Sequence, residues 1–227
     1  MTVDVLFIGA HPDDVEWGVG GIALLLRDSG VSLVIVDLTQ GEMGSRGTVE
    51  GRAVEAARAA EVLGASAREN LKLPDGGLVD LPENRRLIAG VVRRYRPKIV
   101  VAPLWEDRHP DLAAAGLMVR NAALYCGLKN LDDPHPPHKP GAFLYYPLHQ
   151  FRKPSFVVDT TAIFPRKLEL LGVFASQFAA SVGDYLFALE SRDRYFGLQV
   201  GVRYGEALVS DRPVRLGGLS DLLPVLR

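Results

Sequence analysis

A histidine and two carboxylates stand together in Gly9-Ala10-His11-Pro12-Asp13-Asp14, directly after the apolar run Val3-Asp4-Val5-Leu6-Phe7-Ile8. Imidazole is a borderline metal ligand and carboxylate a hard one, so His11 with Asp14 makes a pairing typical of Zn²⁺. Asp13, between them, is left free to handle protons. Pro12 fixes its own φ and pushes His11 toward an extended conformation, which makes the turn stiff. The same residues would also suit a solvated turn in which Asp13 or Asp14 caps the next helix, because turns are rich in Asp and Pro. A second occurrence separates the two readings. His109-Pro110-Asp111, within Glu106-Asp107-Arg108-His109-Pro110-Asp111, again follows a buried-strand pattern and again precedes a helical one. In an open α/β sheet both turns leave the same rim and can converge from different strands. A chance repeat of this tripeptide is the poorer explanation, and the pattern points to one convergent polar site.

The elements that must position these turns alternate along the chain. Residues 3–9 and 31–38 read as strands buried on both faces, with apolar residues at helical spacing from Gly20 to Ser29 between them. Strand, helix and strand in that order make a right-handed βαβ unit. Residues 39–48 form a long loop with three glycines on the rim that carries His11, a length that invites a functional role. Residues 49–63 read as a helix with Arg52 and Glu55 in its first turns, where Arg52 can face back to the rim. Residues 70–73 read as a short strand, and Pro74-Asp75-Gly76-Gly77 as a turn. A helix from Pro82 to Tyr95, a strand at 99–102 and a helix from about Leu112 to Cys126 follow. The segment from Asn130 to Gly141 has four prolines and reads as a semi-rigid flap or subunit contact. Two more strands, 143–146 and 156–159, precede two helices, Arg166 to Gln177 and Tyr185 to Gln199. No repeat and no linker divides residues 1–227, so a single α/β domain with a mostly parallel twisted sheet flanked by helices is expected.

Composition narrows the class further. A chain of 227 residues with 48% hydrophobic residues supports one substantial core. A net charge of −1 offers no footprint for nucleic acid or for an anionic membrane. The one cysteine, Cys126, cannot pair internally and suits a reducing compartment. Without a basic leader or a spanning apolar stretch, a soluble, cytoplasmic protein is expected. A nucleotide-binding oxidoreductase or methyltransferase is the natural rival for a βαβ start. Its G-x-G-x-x-G fingerprint is absent after the first strand, where two carboxylates would repel phosphate, and Gly18, Gly20 and Gly21 come too late. Asp37, at the position of a ribose-binding acid, is weak support alone. A serine or cysteine hydrolase lacks a G-x-S-x-G elbow or a histidine near Cys126. Trp17, Trp105 and Tyr195 could line a sugar pocket, although packing accounts for most aromatics equally well.

These residues resemble a known family, the zinc-dependent N-acetylglucosamine deacetylases typified by the LmbE and PIG-L proteins, and within it the bacillithiol-biosynthesis deacetylases. The likeness is carried by residues 9–14, by 38–48 with Arg52, and by Trp105 to Asp111. Lys153 to Asp159 and Arg192 to Gly197 share it too. It implies a Rossmann-like fold and a hydrolase that removes the N-acetyl group from an N-acetylglucosamine conjugate of the GlcNAc-malate type. His11 and Asp14 would be zinc ligands and Asp13 the general base. His109 would protonate the leaving amine or stabilise the oxyanion, with Asp111 orienting it. Arg52, Glu42, Arg108 and Tyr195 would meet substrate. The resemblance also implies a homo-oligomer, with a hexamer among the expected forms.

In one position the chain departs from that pattern. The family's second cluster reads His-Pro-Asp-His, its last histidine being the third metal ligand, and this chain has Leu112 there. Catalytic zinc normally keeps three protein ligands, so affinity should fall. Three outcomes are open: His109 or Asp111 substitutes as ligand; a loop histidine, His135, His138 or His149, donates; or the chain is a sugar-binding or assembly protein without catalysis.

Overall fold

The structure, a computed structural model, describes residues 2–179, 182–215 and 217. Its frame is one seven-stranded sheet. In chain order the elements are β1 (Val5–Gly9), α1 (Asp14–Asp28), β2 (Leu33–Thr39), α2 (Val49–Val62), β3 (Ala67–Leu73), α3 (Pro82–Tyr95) and β4 (Ile99–Pro103). They continue as α4 (Pro110–Cys126), β5 (Ala142–Tyr146), β6 (Phe156–Asp159), α5 (Phe164–Gly172), α6 (Ala175–Phe178), α7 (Val182–Leu198) and β7 (Gly205–Ser210). The strand order is β3-β2-β1-β4-β5-β7-β6. The first five are parallel and β7 runs antiparallel to both its neighbours. This is the Rossmann-like arrangement expected. Strand order reverses between β1 and β4, and ligands of such sheets bind at the carboxyl ends flanking that point. The His11 turn leaves β1 there and the His109 turn leaves β4.

The expected elements form, with three differences. First, α1 begins at Asp14 rather than near Gly20, and bends at Val19, whose φ and ψ are −142° and 26°. Second, the helix expected at 166–177 divides into α5 and α6. Third, the sequence reading contains no strand at 205–210. Glu206 interrupts the apolar alternation of β7, and the strand forms through its pairing with β5 and β6.

Glu206 and the bend in α1 explain each other. The bend removes intrahelical partners from nearby backbone groups, which must then find others. Glu206 accepts the N–H groups of Gly21 and Ile22 at 2.8 and 2.7 Å. Arg192 donates to the carbonyls of Trp17 and Gly18 at 2.6 and 3.3 Å. The charges are balanced inside the fold: Lys167 donates to Asp193 at 2.8 Å and to Glu206, and Arg192 pairs with Asp193 at 2.8 Å. The glycines of this stretch serve close packing. A Cβ on Gly18 would lie 2.4 Å from the Tyr146 ring, and one on Gly21 2.9 Å from the Glu206 carboxylate. Asp37 is likewise spoken for. Arg68 grips it with two bonds, at 2.8 and 2.9 Å, and reaches Glu16 at 2.5 Å, so no ribose-binding acid is left. No described helix is long and apolar enough to cross a membrane.

Candidate active site

Each element contributes to the site through its end. β1 delivers the turn of residues 10–13, in which neither carboxylate caps α1. Asp14 turns back to accept the N–H of His11 at 2.7 Å, and Asp13, at the N-cap position, makes no capping bond. Asp13 instead holds φ at 117°, a region non-glycine residues rarely occupy. Arg52 maintains it. Thr48 caps α2 by accepting the Gly51 N–H at 3.0 Å, which sets Arg52 in the first turn. The guanidinium then reaches the Pro12 carbonyl at 2.8 Å, Asp13 Oδ2 at 3.1 Å and the Gly41 carbonyl at 3.3 Å. Burial, with Asp14 and Glu16 nearby, pushes Asp13 up to about 7 against the opposing pull of Arg52 and His11. A carboxylate at that value can exchange a proton near neutral pH.

His11 sits among carboxylates on both sides of its ring. Nδ1 lies 3.4 Å from Asp14 Oδ2, while Nε2 lies 3.0 Å from Asp75 Oδ1 and 3.3 Å from Asp111 Oδ2. Burial works against the imidazolium, but Asp14, Asp75 and Asp13 outweigh it and raise its pKa to about 10. The site is a cation trap. Asp111 is buried and fixed by the N–H groups of Gly76 and Leu78 at 2.6 and 3.1 Å. Burial resists its charge, yet these donors, Asp75 and His11 hold it below the usual carboxylate range.

His109 caps α4, with Pro110 in the first turn. Its Nδ1 accepts the Asp111 N–H at 3.3 Å, which leaves Nε2–H as the donor of the neutral ring. The ring meets His11 edge-on at a centroid distance of 5.1 Å. Beneath it Asp107 accepts the His109 N–H at 2.8 Å and pairs with His149 at 3.0 Å.

The structure thus brings His11, Asp13, Asp14, His109 and Asp111 together. Other expectations change. The Asp111 carboxylate does not orient His109; it faces His11, and only its backbone N–H meets the His109 ring. The buried Arg52 guanidinium faces the turn and Asp13 rather than an open pocket. Glu42 accepts the Asp75 and Gln40 N–H groups at 2.9 and 3.1 Å, knitting the loop to the site. Arg108 is exposed at the rim. Tyr195 stacks on Phe151 at 4.7 Å and packs edge-on against Phe196. Asp75 escaped the sequence reading because Pro-Asp-Gly-Gly looks like an ordinary turn; its place after a strand on the same rim was the one available signal.

The donor set suits a divalent metal. Bonds of about 2.0–2.1 Å in tetrahedral geometry put two donors about 3.3 Å apart, close to the 3.4 Å between His11 Nδ1 and Asp14 Oδ2. Donor atoms of His11, His109 and Asp111 also lie within 4.8 Å of one another. Leu112, 1% exposed, belongs to the hydrophobic core. Of the three loop histidines, His149 is held by Asp107 beneath His109 and the other two lie elsewhere. His138 bonds the Pro97 carbonyl, at the opposite end of β4, and His135 pairs with Asp133 in its own loop.

Fold and site together define a Rossmann-like α/β protein with a histidine–carboxylate site at its strand-order switch point, and comparison places it. Residues 6–123 match the PIG-L family of GlcNAc-PI de-N-acetylases, and the chain belongs to that family. It is 34% identical to a diacetylchitobiose deacetylase of Thermococcus kodakarensis over 90% of this chain and 81% of the relative. It is 31% identical to a "probable N-acetyl-alpha-D-glucosaminyl L-malate deacetylase 2" of Bacillus anthracis, over 79% of this chain and 84% of that one. The crystal structure of the conserved protein TT1542 from Thermus thermophilus superposes with a TM-score of 0.89 and 39% identity, covering 95% and 97% of the two chains.

Proposed function

We propose that this protein removes the N-acetyl group from a small N-acetylglucosamine conjugate, with Zn²⁺ held by His11 and Asp14. The observation that carries this reading is the position of Asp13: a carboxylate raised to about 7 and braced by Arg52, next in sequence to one proposed ligand and two residues from the other. When bound, the metal polarises the amide carbonyl and makes water acidic enough to lose a proton near neutral pH. Asp13 takes that proton as the water oxygen bonds to the acetyl carbon. His109 Nε2–H donates to the developing oxyanion, and the proton taken up by Asp13 passes to the departing nitrogen as the C–N bond breaks, giving acetate and a free amine. Two relatives point to two conjugates, a diacetylated disaccharide and a sugar malate.

Amine release should be assayed on both compounds with added Zn²⁺. Turnover on at least one is expected, with Asp13→Asn costing roughly 10²–10⁴-fold. No release from either at high enzyme concentration overturns the reading. Leu112 favours one second reading, a sugar-binding or assembly role without catalysis, which saturable sugar binding without hydrolysis would support.

A further inference from the structure

We propose, resting on the metal-dependent deacetylase reading, that Asp75 is a positioning residue that sets which nitrogen of His11 faces the metal. Asp75 follows β3, and its side chain is 7% exposed. The Gly-rich loop fixes it from two sides. Its Oδ2 accepts the Met43 N–H at 2.8 Å, and its own N–H donates to Glu42 at 2.9 Å. Its remaining oxygen, Oδ1, lies 3.0 Å from His11 Nε2. Asp111 Oδ2 lies 3.3 Å from the same nitrogen.

Asp111, whose two oxygens accept the Gly76 and Leu78 N–H groups, can only accept from the ring nitrogen it shares with Asp75, so that nitrogen carries the proton. Nε2–H therefore points to Asp75 and Asp111. Nδ1 is the nitrogen aimed at Asp14, at the donor–donor spacing a four-coordinate metal requires. A carboxylate that takes the far N–H of a ligating histidine fixes its tautomer and ring orientation and raises its basicity. Here the need is sharper than usual. With leucine at 112 the first turn of α4 supplies no imidazole, and a ring that is one of two ligands on this face must not swing. The same contacts tie residues 42 and 43 to His11 through Asp75.

The experiment measures Zn²⁺ binding by calorimetry and metal analysis on the full chain as wild type, Asp75→Asn, Asp75→Ala and Asp14→Asn. ¹⁵N NMR of the His11 ring in the zinc-loaded wild type accompanies it. Asp75→Ala should weaken binding about 10–100-fold while keeping the same stoichiometry at saturating zinc. Asp75→Asn, whose amide oxygen still accepts Nε2–H, should lose less, and Asp14→Asn should bind no stoichiometric zinc. The ring should show a protonated Nε2 and a metal-bound Nδ1. Unchanged affinity in both Asp75 variants overturns the proposal. So does a loss of stoichiometric binding equal to that of Asp14→Asn, or a protonated Nδ1, because either makes Asp75 a ligand on the Nε2 side. A wild type that binds no zinc overturns the metal-deacetylase reading as well, whereas the variant results on a zinc-binding wild type bear on Asp75 alone. Thermal unfolding of the metal-free Asp75→Asn protein, expected to match wild type closely, separates positioning from a folding defect.

Discussion

Arg52 Nη2 lies 3.1 Å from Asp13 Oδ2 and 2.8 Å from the carbonyl of Pro12, so one guanidinium holds both the proposed base and the turn that presents it. Apart from burial, Arg52 is the strongest influence on Asp13 and works to keep it ionised. Arg52→Met should therefore move the acid limb of kcat/KM upward from its wild-type position and lower the rate at pH 7 by at least about tenfold. Rate profiles between pH 5 and 9 test this, and an unchanged limb would remove Arg52 from control of Asp13.

The tuning of Asp13 carries a stability cost with a defined pH window. Its folded pKa, raised to about 7, exceeds the unfolded value of about 3.9, so the folded state binds more protons between the two. This group favours folding fully below about pH 4, and the benefit is lost as pH rises to about 7. Asp13→Asn has no charge to bury. Melting temperatures of the metal-free proteins at pH 5 to 8 should shift in favour of Asp13→Asn as pH approaches 7 and level off above it. A constant difference would mean that Asp13 is not raised.

Leu112 lies one residue beyond Asp111 in the first turn of α4, the position at which the family resemblance implies a third ligand. Leu112→His should restore that donor and raise zinc affinity by at least about tenfold, one additional protein ligand completing the usual three. Competition against a chelator of known affinity measures it. A variant that binds zinc no better than the parent would move the third-ligand position elsewhere.

Lys167 stands between Asp193 and Glu206 with all three side chains fully buried. Lys167→Met leaves the buried Glu206 without its cation, while Asp193 keeps Arg192, and should cost about 3–5 kcal/mol, as removal of one partner from a buried ion pair does. Because Glu206 also carries the N–H groups of Gly21 and Ile22, the loss should spread to the bend in α1. Denaturant unfolding reads the cost, and hydrogen exchange at residues 18–22 reads where it falls.

The sequence by itself determined the two histidine turns and the strands that carry them. Each turn is local: His11, Asp13 and Asp14 fall within four residues, as His109 and Asp111 do within three, and each lies at the end of an apolar strand whose period is readable without a partner. Leu112 was legible for the same reason, as a departure inside a short motif. Tertiary structure alone decided the rest. Asp75 is 64 residues from His11 and looks like any turn aspartate until β3 is laid beside β2. Glu206 reads as an exposed charge until β7 enters between β5 and β6 and places it against the bent helix. Arg52 was visible at the rim, but which partner it would grip was not. Spacing along a chain encodes which face a side chain takes, while the pairing of charges across long separations is settled only when the sheet order brings their elements together.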